Sequence, residues 1–151
     1  MLALNAAFEA ETSTLDRARL TRWVNSAYLA LAVNHGHDGF VITLDQDCAV
    51  YDSPNFRWFT ARLARFVYID RIIVAPHAQR SGLGRELYRM VIQRMARTGH
   101  DTLACEVNLD PPNPRSERFH ASLGFTRLGD GAPYGDQRRV AYMVRKEAVL
   151  F

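Results

Sequence analysis

The chain has 151 residues, 48% hydrophobic and 23% charged, with 19 Lys+Arg against 16 Asp+Glu for a formal net charge of +3. Those proportions describe one folded domain and exclude a disordered chain. Two cysteines, Cys48 and Cys105, exclude a disulfide framework, no apolar run reaches the roughly 18–20 residues of a membrane span, and no cationic stretch opens into an apolar core.

These absences point to a reduced, cytoplasmic protein with neither membrane nor metal as a partner. The small positive excess suits an anionic small ligand better than nucleic acid. Over residues 14–32, Leu15, Ala18, Leu20, Trp23, Val24, Ala27, Ala30 and Leu31 recur at roughly helical spacing. Asn34–Gly39 is rich in turn formers, and Phe40–Leu44 is a short β-branched and aromatic run that reads as a strand. Asp45–Arg57 is polar and centred on Asp52-Ser53-Pro54-Asn55. It carries Tyr51 and Phe56, with Trp58 just beyond. Such a loop either lines a binding site or pins itself to the core by its aromatics.

The second half alternates more clearly. Phe66–Val74 reads as a buried strand stopped at Ala75-Pro76. Leu83, Leu87, Met90, Val91 and Met95 mark one face of a helix, with Gly99 placed for a left-handed C-cap. Thr102–Val107 is the next strand, Pro114–Leu123 a short helix closed by Gly124, and Phe125–Leu128 and Val140–Val144 the last strands. This order predicts an α/β fold, and with no linker or internal repeat residues 1–151 read as a single domain.

Between the strand at 66–74 and the following helix lies Gln79-Arg80-Ser81-Gly82-Leu83-Gly84. A loop that opens a helix presents unpaired N–H groups and the positive end of the helix dipole, which suits phosphate. Gly82 and Gly84 remove the Cβ atoms that would hold a pyrophosphate off the backbone. Arg80, Arg85 and Arg89 add charge at the same mouth. The segment is neither a nucleotide P-loop, which needs Gly-Lys-Ser/Thr, nor a dinucleotide fingerprint, which needs a glycine where Leu87 stands. A plain strand–loop–helix turn would also use these glycines.

With Val74-Ala75-Pro76 before it, Asn113 after it and Leu123-Gly124-Phe125 closing the short helix, the pattern resembles the GNAT superfamily of acyl-CoA N-acyltransferases. The resemblance is close over residues 66–128 and looser elsewhere. Tyr-Asp-Ser-Pro-Asn-Phe at 51–56 and Phe-His-x-x-Leu-Gly-Phe at 119–125 resemble an uncharacterised bacterial branch of it. It implies a mixed, mainly antiparallel sheet splayed between its fourth and fifth strands and flanked by helices. It also implies acetyl-CoA as co-substrate, with Gln79, Arg80, Ser81, Gly82, Leu83, Gly84 and Arg85 on the pyrophosphate. Backbone groups of Ile72, Ile73 and Val74 would hold pantetheine as an added strand. Asn113, Ser116 and Phe119 would complete the co-substrate site, although Asn113 before Pro114 is also a favoured helix N-cap.

Where the family places its tyrosine acid, this chain has His120. An imidazole near ~6.5 is a weaker match than a phenol near ~10 for a thiolate whose thiol titrates near ~8.5. His120 is therefore a candidate acid, a candidate hydrogen-bond donor to the sulfur, or a surface histidine. Candidate bases are Glu106 and Asp70, each a carboxylate inside an apolar strand. Their ordinary readings are a sheet-end carboxylate for Glu106 and an ion pair with Arg71 for Asp70, and a water relay is a third route. The resemblance implies transfer of acetyl from acetyl-CoA to a small or amino-acid-like primary amine by direct attack in a ternary complex. The acceptor pocket would draw on Asn34–Asp38, Tyr51–Trp58 and Gly129–Asp136. A non-catalytic acyl-CoA-binding regulatory module is the alternative reading, and a homodimer is the expected assembly.

Overall fold

The computed structural model describes residues 1–136 and 138–146. Helix α1 (Leu2–Ala6) and α2 (Arg17–Ser26) lead into strands β1 (Leu29–Val33) and β2 (Gly39–Asp45). Helix α3 (Pro54–Thr60) precedes β3 (Val67–Val74), α4 (Leu83–Thr98) and β4 (Thr102–Asp110). Helix α5 (Pro114–Ser122) and strands β5 (Thr126–Gly131), β6 (Pro133–Asp136) and β7 (Arg139–Lys146) complete the order. Six strands form one sheet in the order β1-β2-β3-β4-β7-β5. Every pair is antiparallel except β3 with β4, whose parallel pairing requires the crossover through α4.

The sheet separates two apolar layers. On one face, Trp23 of α2 and Phe56 and Phe59 of α3 pack on Phe40, Ile42, Leu44 and Tyr68. On the other, Leu87, Val91 and Met95 of α4 and Leu123 pack on Val41, Val67, Ile69 and Leu103. Burial on both faces accounts for the continuous apolar run of β3. Among the described residues, no helix is long and apolar enough to cross a membrane.

Four expectations are corrected. The helical spacing over 14–32 yields only α2, capped by Asp16, whose side chain accepts from Arg19 N at 2.7 Å. Residues 29–33 are a strand, because pairing with β2 outweighs the helical bias of Leu and Ala. Buried Thr43 seals that pairing, its hydroxyl accepting from Leu29 N (3.1 Å) and donating to Leu29 O (2.9 Å). Second, Asp45–Arg57 is not all loop, since Pro54 opens α3 at the N-terminal position where its missing N–H costs nothing. Third, Gly129–Asp136 is the end of β5 and β6, not a loop. The splay itself falls between β3 and β4, because only three strands precede the crossover.

Candidate functional site

The site begins with a failure of strand pairing. Strands β3 and β4 are in register only at Val67 with Leu103 and Tyr68 with Ala104. From Ile69 onward they share no ladder pair. At this point β3 also carries a bulge: Arg71 stands opposite Ile42 and Ile69 opposite Thr43, which leaves Asp70 as the extra residue. A bulge re-aims side chains. Here it sets Asp70 beside Arg71 instead of across the sheet, and Arg71 Nε donates to Asp70 Oδ2 at 2.6 Å. Both side chains are almost fully buried, so the ion pair that the sequence allowed for Asp70 is present.

The opening is a cavity of about 650 Å³. Of the residues expected in catalysis or on the co-substrate, all except Ser81 border it. Ser81 is turned into its own loop, its Oγ donating to Ala78 O at 2.7 Å and accepting from Leu83 N at 3.3 Å. Gln79 ties the loop to the strand through Nε2 to Val74 O at 2.9 Å. Gly82 has φ 88°, a left-handed conformation that favours glycine, and a Cβ there would meet no atom within 4 Å. Backbone, not packing, therefore demands glycine, and the space above it is open for a ligand. At Gly84 a Cβ would come within 3.1 Å of Phe119 Cζ, so this glycine lets α4 lie close to α5. Arg80 and Arg85 border the cavity, whereas Arg89 is absent from its walls and pairs with Glu86 on the same helix, Nε to Oε2 at 2.8 Å.

Helix α5 forms the adjoining wall. Asn113 is its N-cap, Oδ1 accepting from Ser116 N at 3.1 Å, and it also borders the cavity. His120, expected as an acid or as a surface residue, is buried with both ring nitrogens engaged. Nδ1 lies 2.7 Å from Ser116 O and 3.2 Å from Ser116 Oγ. A carbonyl only accepts, so Nδ1 carries the proton and Nε2 accepts from the Tyr88 hydroxyl at 2.7 Å. Burial pushes the His120 pKa below the ordinary imidazole value, opposed by the Ser116 carbonyl. A neutral ring with no free proton cannot protonate a departing thiolate.

Glu106 is not a solvent-facing sheet end. Its Oε1 accepts from Asn55 Nδ2 and its Oε2 from the Tyr68 hydroxyl, each at 2.8 Å. Burial pushes its pKa up to about 7; the charge of Asp70 adds to the rise, and the Tyr68 and Asn55 donors oppose it. Asp70 Oδ1 accepts a short hydrogen bond from the Tyr51 hydroxyl, whose own pKa burial drives far above the phenol range. Tyr51 and Phe56 belong to the core, yet Tyr51, Ser53 and Asn55 also border the cavity, so the 51–58 segment is pinned by its aromatics and lies on the cavity wall. Cys105 also faces the cavity with its thiol pushed up by burial, which suppresses thiolate chemistry.

Some walls escaped sequence reasoning. Phe8, Glu11, Thr12 and Ser13 border the cavity, as do Arg115 and Arg138, while Tyr134 alone among the described residues of the expected 129–136 stretch does so. The N-terminal segment is fastened by Arg71, which donates to Ser13 Oγ at 3.1 Å and to Asn5 Oδ1, and by Arg138, which donates to Thr12 O (3.1 Å) and Ala10 O (3.0 Å). No motif signals this, although a buried Asn5 is the kind of polar residue that must have a partner. Residues 34–38, expected at the acceptor pocket, lie outside the cavity wall, and Asp38 bonds His77 Nε2 at 2.9 Å.

A family model described as the Acetyltransferase (GNAT) family matches residues 23–125. Among solved structures, the ribosomal-protein-S18-alanine N-acetyltransferase from Escherichia coli is 21% identical with TM-score 0.62, over 98% of this chain and 88% of that one. Naa20 of Chaetomium thermophilum, solved with a bisubstrate analogue, is 16% identical with TM-score 0.69, over 97% and 82%. A GNAT-family protein from Desulfovibrio desulfuricans is 21% identical with TM-score 0.58, over 78% of this chain and 66%, just under two thirds, of that one. No curated protein matches the chain in sequence. At these identities the structures show a shared fold.

Proposed function

The chain belongs to the GNAT acetyltransferase family, and on that premise we propose that it moves the acetyl group of acetyl-CoA to the primary amine of a small or amino-acid-like acceptor, with both bound together. One observation carries this reading. A phosphate-suited loop, an unpaired strand edge and a carboxylate with a pKa of about 7 border one cavity.

Co-substrate phosphates fit the loop end, where Arg80, Arg85 and the first turn of α4 meet. Pantetheine amides take up the free edge at Ile72–Val74, which directs the thioester toward the bulge. The opposite end is acidic, with Glu11, Asp70 and Glu106 on the wall. Arg71 is paired there and Arg138 is engaged by carbonyls, so the end suits an ammonium group.

An amine reaches the site as R–NH3⁺ and must lose a proton before it attacks. Glu106 takes that proton, since a base titrating near 7 is about half ionised at neutral pH yet basic enough to accept. The nitrogen lone pair then adds to the thioester carbon, whose oxygen is polarised by a backbone N–H of the β3 edge. The C–S bond breaks, the electron pair leaves with sulfur, and the second amine proton passes to the thiolate. The products are an N-acetyl amine, CoA–SH and protonated Glu106, which returns its proton to water.

The test is incubation with acetyl-CoA and a panel of amines while free CoA is followed. Amine-dependent CoA release, with a rise in melting temperature on acetyl-CoA alone, supports the proposal. A melting shift without turnover on any amine favours the binding-module reading, and no shift removes both.

A further inference from the structure

Asn55 belongs to the Tyr-Asp-Ser-Pro-Asn-Phe segment and is buried. Its carboxamide is used at both ends. Oδ1 accepts from the Tyr142 hydroxyl at 3.1 Å, and Nδ2 donates to Glu106 Oε1 at 2.8 Å. An Asn side chain alone presents oxygen or nitrogen equally well. Glu106 removes that freedom, because a carboxylate only accepts and so takes Nδ2, which leaves Oδ1 to accept from the Tyr142 hydroxyl. Tyr142 is itself fixed: its ring stacks on Trp58 with centroids 4.0 Å apart, and Gly131 leaves the space in which its hydroxyl sits.

We propose that Asn55 is the positioning residue for the base Glu106, with the Tyr142 hydroxyl holding the far end of its carboxamide. The proposal rests on Glu106 being the base. Each Glu106 oxygen accepts one of these two bonds, from Asn55 or from Tyr68. These bonds fix the carboxylate plane, and both favour its ionised form. The groups around Glu106 are Asn55 from α3, Tyr68 and Asp70 from β3, Tyr88 from α4, Cys105 beside it on β4 and Tyr142 from β7, with Tyr51 and Arg71 on Asp70. Asp70 carries the negative charge among them. Without the Asn55 donor, that charge is less opposed and Glu106 holds its proton to higher pH.

The proposal gives the 51–56 segment a common purpose. Tyr51 grips Asp70 and Asn55 grips Glu106, so two residues four apart hold the two carboxylates of one site. Pro54 starts the helix between them and fixes their relative placement.

The experiment compares Asn55→Ala and Tyr142→Phe with the parent in the pH dependence of kcat/KM for the amine, with Glu106→Gln as reference. For Asn55→Ala the acidic limb moves up by about one pH unit. The rate then falls about tenfold at pH values below the limb, much less on the alkaline plateau, and KM for acetyl-CoA is unchanged. Tyr142→Phe keeps the stacked ring and gives a smaller shift in the same direction. A merely structural Asn55 would lower the melting temperature and scale the whole profile without moving the limb; that outcome overturns the proposal. If the parent limb survives in Glu106→Gln, the assignment of the base fails first, whatever Asn55 does.

Discussion

The Tyr88 hydroxyl donates to His120 Nε2 across 2.7 Å, and this bond joins α4 to α5 inside the protein. It locks together the two helices that supply the phosphate loop and the Asn113 cap. His120→Ala therefore removes a strut. The void and the orphaned Tyr88 hydroxyl cost about 2–4 kcal/mol in stability. At saturating acetyl-CoA, kcat stays within about threefold of the parent, well short of what loss of a general acid causes. A drop of 10²-fold or more, with an altered alkaline limb, would return His120 to the chemistry.

Glu106→Gln removes the proposed base and separates activity from stability. Activity falls by about 10²–10⁴-fold, and the acidic limb near pH 7 disappears. Stability moves the other way. The folded-state pKa is raised, so the folded chain binds more protons than the unfolded one between about 4.5 and about 7. Stability from this group is therefore lost as pH rises through that window. At pH 8 the shift corresponds to roughly 3 kcal/mol, part of which Gln recovers after its lost hydrogen bond. Thermal melts at pH 8 and pH 5 should show the variant gaining on the parent mainly at the higher pH. His120 has a lowered pKa and opposes this slope, destabilising the fold as pH falls through about 6.5.

Asp70→Asn tests the second carboxylate through two readouts. It leaves buried Arg71 without its counter-ion, at a cost of about 3–5 kcal/mol. It also removes a negative charge that raises the Glu106 pKa, so the acidic limb of kcat/KM moves to lower pH. Denaturant unfolding and a pH profile check the pair of effects. An unmoved limb would show that the two carboxylates do not sense each other.

Gly82→Ala addresses the loop. Its φ of 88° makes any Cβ strained by about 1 kcal/mol, although the protein leaves room for the atom. The same atom occupies the approach to the α4 amides. The affinity for CoA, measured by titration calorimetry, should fall at least tenfold while the melting temperature falls only a few degrees. Equal loss of both would place the phosphates elsewhere.

The clearest sequence signals were local ones. β3, α4 and α5 announce themselves because apolar periodicity, Gly99 and the Asn113-Pro114 start are properties of adjacent residues. The strand at 29–33 does not, since Leu-Ala-Leu-Ala-Val becomes a strand only through its pairing with β2. Asp70 and Glu106 stand out as carboxylates in apolar strands, but their partners do not. Glu106 meets Asn55 across 51 positions, and Arg71 meets Asn5 across 66. The bulge that turns Asp70 toward Arg71 is a mismatch between two strands and has no counterpart in one strand's residues. A surface position is one of the three readings open for His120 in the sequence, on a polar helix; its burial follows from Tyr88 on another helix.

The parting of β3 from β4 leaves two strand edges facing each other in the middle of the sheet. A bare edge is a template for any other extended chain, and outer edges are where proteins usually defend against this. Here the exposure is internal, and the proposed occupant is not protein. With pantetheine between the strands, the co-substrate is also the missing rung of the sheet. On that proposal, binding of acetyl-CoA would also cover the two bare edges, so the free protein would be the form open to misassociation.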